Sequence, residues 1–329
     1  MQEGLVVAGD VGATKTALAL YGAESRPLRQ AVWKNSELNS LDEALAAFLA
    51  GQETGPLRAC FGVAGPVRGN RAAMTNLNWQ IDGDALARQF GLRQALLVND
   101  LVAAAAGAAL LPADKLRPLN AGQPDPSGCV AVLAVGTGLG EAFLAPGQKR
   151  PFPTEGGHAS FAPRTEEQID LLRFLLKQQP HVSVEQVCSG MALPDLHAFM
   201  LTRCPEPDWM TRQRQEADAA GLPPLIVSSA CAALSGSGPA CEPAVRALRL
   251  LTDILAAEAA NLALKTLATG GVYIGGGMTP RLLPFFEPER FMAIFCRGVY
   301  QDMLAGIPVH LILEPDTALI GARQLALES

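Results

Sequence analysis

No two cysteines of this 329-residue chain form a C-x-x-C pair, basic side chains are not in excess, and no apolar run is long enough for a membrane span. Each absence excludes a class. Cys60, Cys129, Cys188, Cys204, Cys231, Cys241 and Cys296 are scattered and odd in number. That speaks against a disulfide framework and a structural zinc site, and fits free thiols in a reducing compartment. The formal charge of -6 argues against a nucleic-acid binder, which presents a basic face. It leaves phosphate ligands open, because backbone amides and Mg²⁺ hold phosphates without net positive charge. The longest apolar run, Leu101 to Ala113, is shorter than a spanning helix. Met1-Gln2-Glu3-Gly4 lacks the basic stretch of a leader, and Leu5 to Ala8 is too short an apolar core for one. A cytoplasmic protein without a membrane segment is expected.

What is present suits a folded α/β protein. The length fits two domains, and 49% hydrophobic against 18% charged residues supplies buried cores. Leu5 to Ala8, then Gly9-Asp10-Val11-Gly12-Ala13-Thr14, then Ala17 to Leu20 reads as strand, tight turn, strand. The unit recurs as Val130 to Val135, Gly136-Thr137-Gly138-Leu139-Gly140 and Ala142 to Leu144, as if each domain opens with the same device.

Local signals place the other elements. Ala59 to Val63 and Ala95 to Val98 read as strands, the second running into Asn99-Asp100 and an Ala-rich helix that Pro112 stops. Thr165 with Gln168, and Ser183 with Gln186, form capping boxes that predict helices behind them. Apolar spacing from Val245 to Leu267 predicts a long amphipathic helix ended by Gly270-Gly271. Val272 to Ile274 then runs into Gly275-Gly276-Gly277, with Thr279-Pro280 as N-cap and first helical position. The Pro, Gly and Ser breaks between Cys204 and Pro243 predict surface loops with short helices between them. Alternating strands and helices argue central sheets with helices on their faces.

The chemistry-bearing residues cluster at these turns. Three glycine-rich turns directly follow apolar strands, and glycine lets amides approach a phosphate closely, although hairpins also use it for steric reasons alone. None fits the P-loop pattern or the dinucleotide fingerprint. Asp10 suits a Mg²⁺ held through water, or a turn that caps itself. Asn99-Asp100 suits a helix N-cap. Equally, a carboxylate at the carboxyl end of a strand can accept an alcohol proton during in-line attack on phosphorus. Glu155-Gly156-Gly157-His158 sets an acid and an imidazole, partners for sugar hydroxyls, on a loop able to wrap a ligand. Glu185 suits either a helix dipole or a sugar, and Asn76, near Trp79, either a sugar contact or a turn.

In this order the motifs resemble those of the bacterial glucokinases, in the actin and hexokinase superfamily of ATP-handling folds. Gly9 to Thr14 is similar to the first phosphate motif, and Gly136 to Gly140 to the second. Ala73-Met74-Thr75-Asn76 with Trp79, and Val98-Asn99-Asp100, are similar to the sugar-side motifs. So are Glu155 to His158 with Phe161-Ala162-Pro163, and His181-Val182-Ser183 running to Glu185, Ser189 and Gly190. Gly275-Gly276-Gly277 with Pro280-Arg281 resembles the adenosine motif.

The resemblance implies two actin-like (ribonuclease H-like) domains with mixed sheets flanked by helices and a cleft between them. Residues 1–110 with 315–329 would form the small domain, and 111–314 the large one. It implies ATP with Mg²⁺ near Asp10, glucose phosphorylated on its 6-hydroxyl at the start of glycolysis, and a homodimer. Asn76, Asn99, Asp100, Glu155, His158 and Glu185 would hold glucose, with Asp100 also the general base. Gly9, Asp10, Gly12, Ala13, Thr14, Lys15, Gly136, Thr137, Gly138, Gly275, Gly276 and Gly277 would hold ATP.

Departures from the family pattern bear on donor and sugar preference. Ala13 stands for a glycine, Lys15 for an asparagine, Ala17 for an arginine, and Met191-Ala192 for a glycine-containing pair. The cysteine-rich zinc motif of the regulator and sugar kinase branch is missing. A kinase for another hexose or amino sugar, and a non-catalytic sensor on the same fold, are the rival readings. Keeping Asp100 beside a set of sugar ligands disfavours the sensor.

Overall fold

A computed structural model describes residues 4–51, 57–74 and 77–329. The chain divides into two compact units, one of residues 1–115, 142–153 and 314–329, the other of 116–141 and 154–313. Asn76 lies outside the described residues.

The first unit is built on strands β1 (Val6–Val11), β2 (Lys15–Tyr21), β3 (Pro27–Lys34), β4 (Arg58–Val63) and, later, β8 (Gln94–Asn99), in the order β3-β2-β1-β4-β8. β1, β4 and β8 run parallel, while β2 and β3 are antiparallel. Helix α1 (Leu41–Leu49) precedes β4; β5 (Val67–Arg68), β6 (Arg71–Met74) and β7 (Trp79–Asp82) form a small sheet ahead of α2 (Gly83–Gln89). Helix α3 (Asp100–Ala108) follows β8.

Strand alternation explains why this sheet is covered on both sides. Val7, Val11, Leu18 and Leu20 point into one core with Leu41, Leu45 and Phe48 of α1. Val6, Ala8, Ala17, Ala19 and Tyr21 point into the other, with Val102, Ala103 and Ala106 of α3. That second core also holds Leu319, Ala322 and Leu325 of the last helix.

A second sheet is built from β9 (Leu116–Pro118), β10 (Val130–Val135), β11 (Leu139–Leu144), β12 (Phe152–Thr154), β13 (Gly271–Gly275) and β14 (Val309–Ile312), in the order β12-β11-β10-β13-β14-β9, and all of it but residues 142–144 and 152–153 belongs to the second unit. β10, β13 and β14 are parallel and β9 antiparallel. Helices α4 (Glu166–Leu175), α5 (Leu193–Leu201), α6 (Asp208–Glu216), α7 (Leu222–Ser235), α8 (Glu242–Thr266), α9 (Thr279–Leu282), α10 (Pro288–Phe295) and α11 (Gln301–Gly306) complete it. Leu248, Leu251, Ile254 and Leu255 of α8 are buried in its core, as the spacing predicts. Helix α12 (Thr317–Glu328) returns to the first unit.

Small residues let α3 and α12 meet. A Cβ on Gly321 would stand 1.8 Å from the Ala103 carbonyl, and one on Gly107 would stand 1.9 Å from that of Thr317. The helices cross backbone to backbone.

Four local expectations change. The Ser183–Gln186 capping box forms, with Ser183 N donating to Gln186 Oε1 at 2.8 Å, but it closes a turn and no helix follows. The chain there is instead tied to residues 157–161 by backbone bonds. Helix α8 ends on Leu267 in the left-handed conformation (φ 50°), while Gly271 opens β13. Thr279 is not an N-cap, because its hydroxyl donates to the Gly275 carbonyl at 2.6 Å. The stretch from Cys204 to Pro243 holds the 14-residue α7, which buries Ile226 and Ala230, so it is part of the core as well as surface.

Candidate active site

In the first unit the sheet register sets the acids at one edge. Asp10 pairs with Gly62 and Val63 with Asn99, so Asp10 and the start of α3 both lie at the carboxyl ends of parallel strands. Ligands of open α/β sheets collect at that edge. Asp100 is the first residue of α3, and the Leu101 amide donates to Asp100 Oδ1 at 2.9 Å and to Asn99 Oδ1 at 3.0 Å. Asn99 is therefore the N-cap, one of the two readings its position allowed, and its Nδ2 also donates to the Gly65 carbonyl at 3.2 Å.

Burial, with the charge of Asp10 adding and the Leu101 amide opposing, pushes the Asp100 carboxyl up to about 6. Asp10 is also raised, first by burial and then by Asp316, with Lys15 opposing. A carboxylate drawn toward neutrality has a greater appetite for a proton, which suits a base.

The turn beside Asp10 closes through the Gly12 amide on the Lys15 carbonyl at 3.0 Å, leaving Ala13, Thr14 and Lys15 exposed. Ala13 does not take a positive φ, so its side chain is accommodated where the family pattern has glycine.

The second unit repeats the turn between β10 and β11, with the Gly136 amide on the Gly138 carbonyl at 2.9 Å. The parallel register of β10 and β13 brings the third glycine turn alongside it. There Gly276 has φ 95°, and a Cβ on it would stand 2.4 Å from the Val135 carbonyl, so only glycine fits. The amides of Gly190 and Met191 donate to the carbonyls of Gly136 and Thr137 at 2.9 and 3.1 Å. Met191 thus supports the turn through its backbone, whatever its side chain.

Glu155, His158 and Glu185 come together in this unit. His158 Nε2 is 3.9 Å from Glu155 Oε2, and His158 Nδ1 is 4.0 Å from Glu185 Oε1. Glu185 Oε2 accepts from the Leu139 amide at 2.8 Å, which ties this group to the second glycine turn. Glu155 and His158 are exposed, with side chains 87% and 64% accessible, whereas Glu185 is 18% accessible. Two acids and an imidazole thus present hydrogen-bonding groups on one side of this unit.

A cavity of about 590 Å³ elsewhere in this unit contains none of these residues. Its arginines Arg246, Arg249 and Arg290 are paired with Glu167, Glu287 and Asp253, and it offers no comparable chemistry.

Comparison with known proteins decides the family. The glucokinase family model matches residues 7–329. A glucokinase of Nostoc sp. is 37% identical over 97% of this chain and 97% of its own length. The chain belongs to the glucokinase family. The crystal structure of glucokinase from an Antarctic psychrotroph has a TM-score of 0.81 at 30% identity, covering all of both chains. A ROK family glucokinase from Streptomyces griseus, solved with glucose and AMPPNP, has a TM-score of 0.66 at 21% identity. It covers 99% of this chain and 100% of its own. That last likeness bears on the fold alone.

Among the described residues no helix is long and apolar enough to cross a membrane.

Some polar groups at these sites carry no local signal. Asn35 and Thr16, both buried, fasten the first glycine turn. Glu141 is 1% exposed, and its Oε1 has no hydrogen-bond partner among the described residues. Burial pushes its carboxyl up to about 7, with Glu258 adding and Lys265 opposing. Asn35 binds partners 19 and 23 residues away, and Glu141 belongs to a strand whose sequence reads as apolar, so a single sequence shows neither role.

Proposed function

We propose that this glucokinase-family chain transfers the γ-phosphoryl group of ATP to the 6-hydroxyl of glucose, with Asp100 as general base. The observation that carries the reading is the Asp100 carboxylate at the carboxyl end of β8, held by the Leu101 amide and pushed up to about 6. The oxygen of the 6-hydroxyl forms a bond to the γ-phosphorus as the bond to the β-bridging oxygen breaks. Its proton passes to Asp100, and ADP leaves.

Glucose is held by Asn99, Asp100, Glu155, His158 and Glu185, with Asn76 as a further contact. A site built from charged hydrogen-bonding groups rejects the wrong stereoisomer by leaving some of them unmatched. The amides of the three glycine turns position the phosphates of ATP, so catalysis comes from placement and electrostatics. Asp10 fits Mg²⁺ held through water: its carboxyl is raised by burial and its charge acts on Asp100, which a divalent ion would relieve. When bound, Mg²⁺ neutralises charge on the transferring phosphates. We assign the chain to the cytoplasm, as a homodimer that commits glucose to glycolysis, with 1–110 and 315–329 as its small domain and 111–314 as its large one.

A coupled assay with ATP over a panel of hexoses, alongside polyphosphate and ADP as donors, tests the reading. Glucose with ATP is expected to give the highest kcat/KM. A higher value for mannose or an amino sugar would reassign the substrate, and no transfer to any sugar would leave only a sensor.

A further inference from the structure

The first glycine turn has one internal backbone bond, from the Gly12 amide to the Lys15 carbonyl, and three of its residues, Ala13, Thr14 and Lys15, are exposed. Further support comes from behind. Asn35 follows the end of β3 and is 3% exposed; Thr16 is fully buried. The Thr16 hydroxyl donates to Asn35 Oδ1 at 2.7 Å, which fixes the amide with its nitrogen toward the turn. Asn35 Nδ2 then donates to the Gly12 carbonyl at 2.8 Å, and the Asn35 backbone amide donates to the Thr14 carbonyl at 3.0 Å. One buried residue thus takes up two carbonyls of a three-residue stretch.

A trans peptide sets its C=O and N–H on opposite sides. Pinning the Gly12 carbonyl on Asn35 therefore aims the Ala13 N–H the other way, out of the protein on the exposed side. The Thr16–Asn35 pair orients a donor without touching what that donor binds. Such preorganisation matters because an amide already aimed costs no ordering when an anion arrives.

We propose that Asn35, locked by Thr16, is a positioning residue for ATP: it holds the Gly12–Lys15 turn so that its outward amides meet the phosphates. This inference rests on the reading of that turn as a phosphate site.

The test compares Thr16→Val, Thr16→Ser and Asn35→Ala in the whole enzyme, reading KM for ATP, KM for glucose and thermal stability. Thr16→Val and Asn35→Ala are expected to raise KM for ATP about 10-fold, the size of one misplaced hydrogen bond, with KM for glucose within about 2-fold. Thr16→Ser, which keeps the hydroxyl, is expected to restore KM for ATP. Should Asn35→Ala fail to fold, Thr16→Val, close to threonine in shape, carries the test. An unchanged KM for ATP in either folded variant, or equal rises for both substrates, overturns the proposal. Ala13→Pro, which deletes the amide itself, separates the two levels. If it raises KM for ATP and the Asn35 and Thr16 variants do not, the positioning role fails alone. If it too leaves KM for ATP unchanged, the phosphate reading fails with it.

Discussion

The two main sheets share an order of neighbours, β3-β2-β1-β4-β8 in one and β12-β11-β10-β13-β14 in the other before its extra strand β9, and each places a glycine turn after its first central strand. They support that turn differently. In the first unit Asn35 takes two turn carbonyls, that of Gly12 with its buried side chain and that of Thr14 with its backbone amide. In the second, the amides of Gly190 and Met191 take the carbonyls of Gly136 and Thr137, while Glu185 takes the Leu139 amide. Their acids differ as well. Asp10 and Asp100 of the first unit are raised by burial, whereas Glu155 and His158 of the second stand exposed. A repeated topology thus fixes where a turn goes, and non-local polar contacts decide which chemistry it serves. One edge suits proton and metal work, and the other suits recognition.

The largest expected effect tests the first edge. Asp100→Asn keeps the shape of the side chain and removes the base, so kcat should fall at least ~100-fold with KM for glucose changed far less. Steady-state kinetics would show it; near-normal kcat would take proton transfer away from the first unit. Glu185→Gln tests the second edge, where loss of a charged acceptor should raise KM for glucose roughly 10- to 100-fold. If that variant lost kcat at unchanged KM, the division into chemistry and recognition would break.

Glu141 sharpens the contrast, because it is a second-unit acid as deeply buried as any at the first edge. Its folded value of about 7 lies above the ordinary 4.5, so the folded protein disfavours its ionisation. The stability it contributes is whole below about pH 4.5 and is lost as pH rises through about 7. The loss is on the order of 1–3 kcal/mol. Glu141→Gln should remove that loss, so denaturation midpoints of variant and parent should diverge between pH 5 and pH 8, with the variant the more stable at about pH 8. Parallel curves would show that the buried acid is not strained. The smallest effect concerns the first turn: Ala13→Gly should lower stability by about 0.5–1 kcal/mol, since alanine there adopts an ordinary φ and glycine only loosens the unfolded chain. A gain in stability would mean that alanine is strained after all.

Much of this fold was legible because it is written locally. Apolar runs bounded by glycine marked β1, β2, β4, β8, β10 and β13, and the spacing of Leu248, Leu251, Leu255 and Leu262 marked α8. The turns carrying Asp10, Asp100 and the Glu155–His158 loop were legible for the same reason, as acids set beside strand ends and glycines. Three features were not. The capping signal at Ser183 was satisfied without a helix, in a segment tied by backbone bonds to residues 157–161 far from it in sequence. Thr279 gave up its cap position to hold the Gly275 carbonyl. Asn35 and Glu141 matter through partners far along the chain, and no local pattern reports such a partner.

By itself the sequence determined the strand and turn positions, the exclusion of a P-loop, and the ordered motifs of the glucokinase family, because periodicity and glycine act within a few residues. Tertiary structure alone decided which acids lose water and which stay wet, and which amides are turned outward. Those depend on what packs behind each group, and packing joins residues that the chain keeps apart.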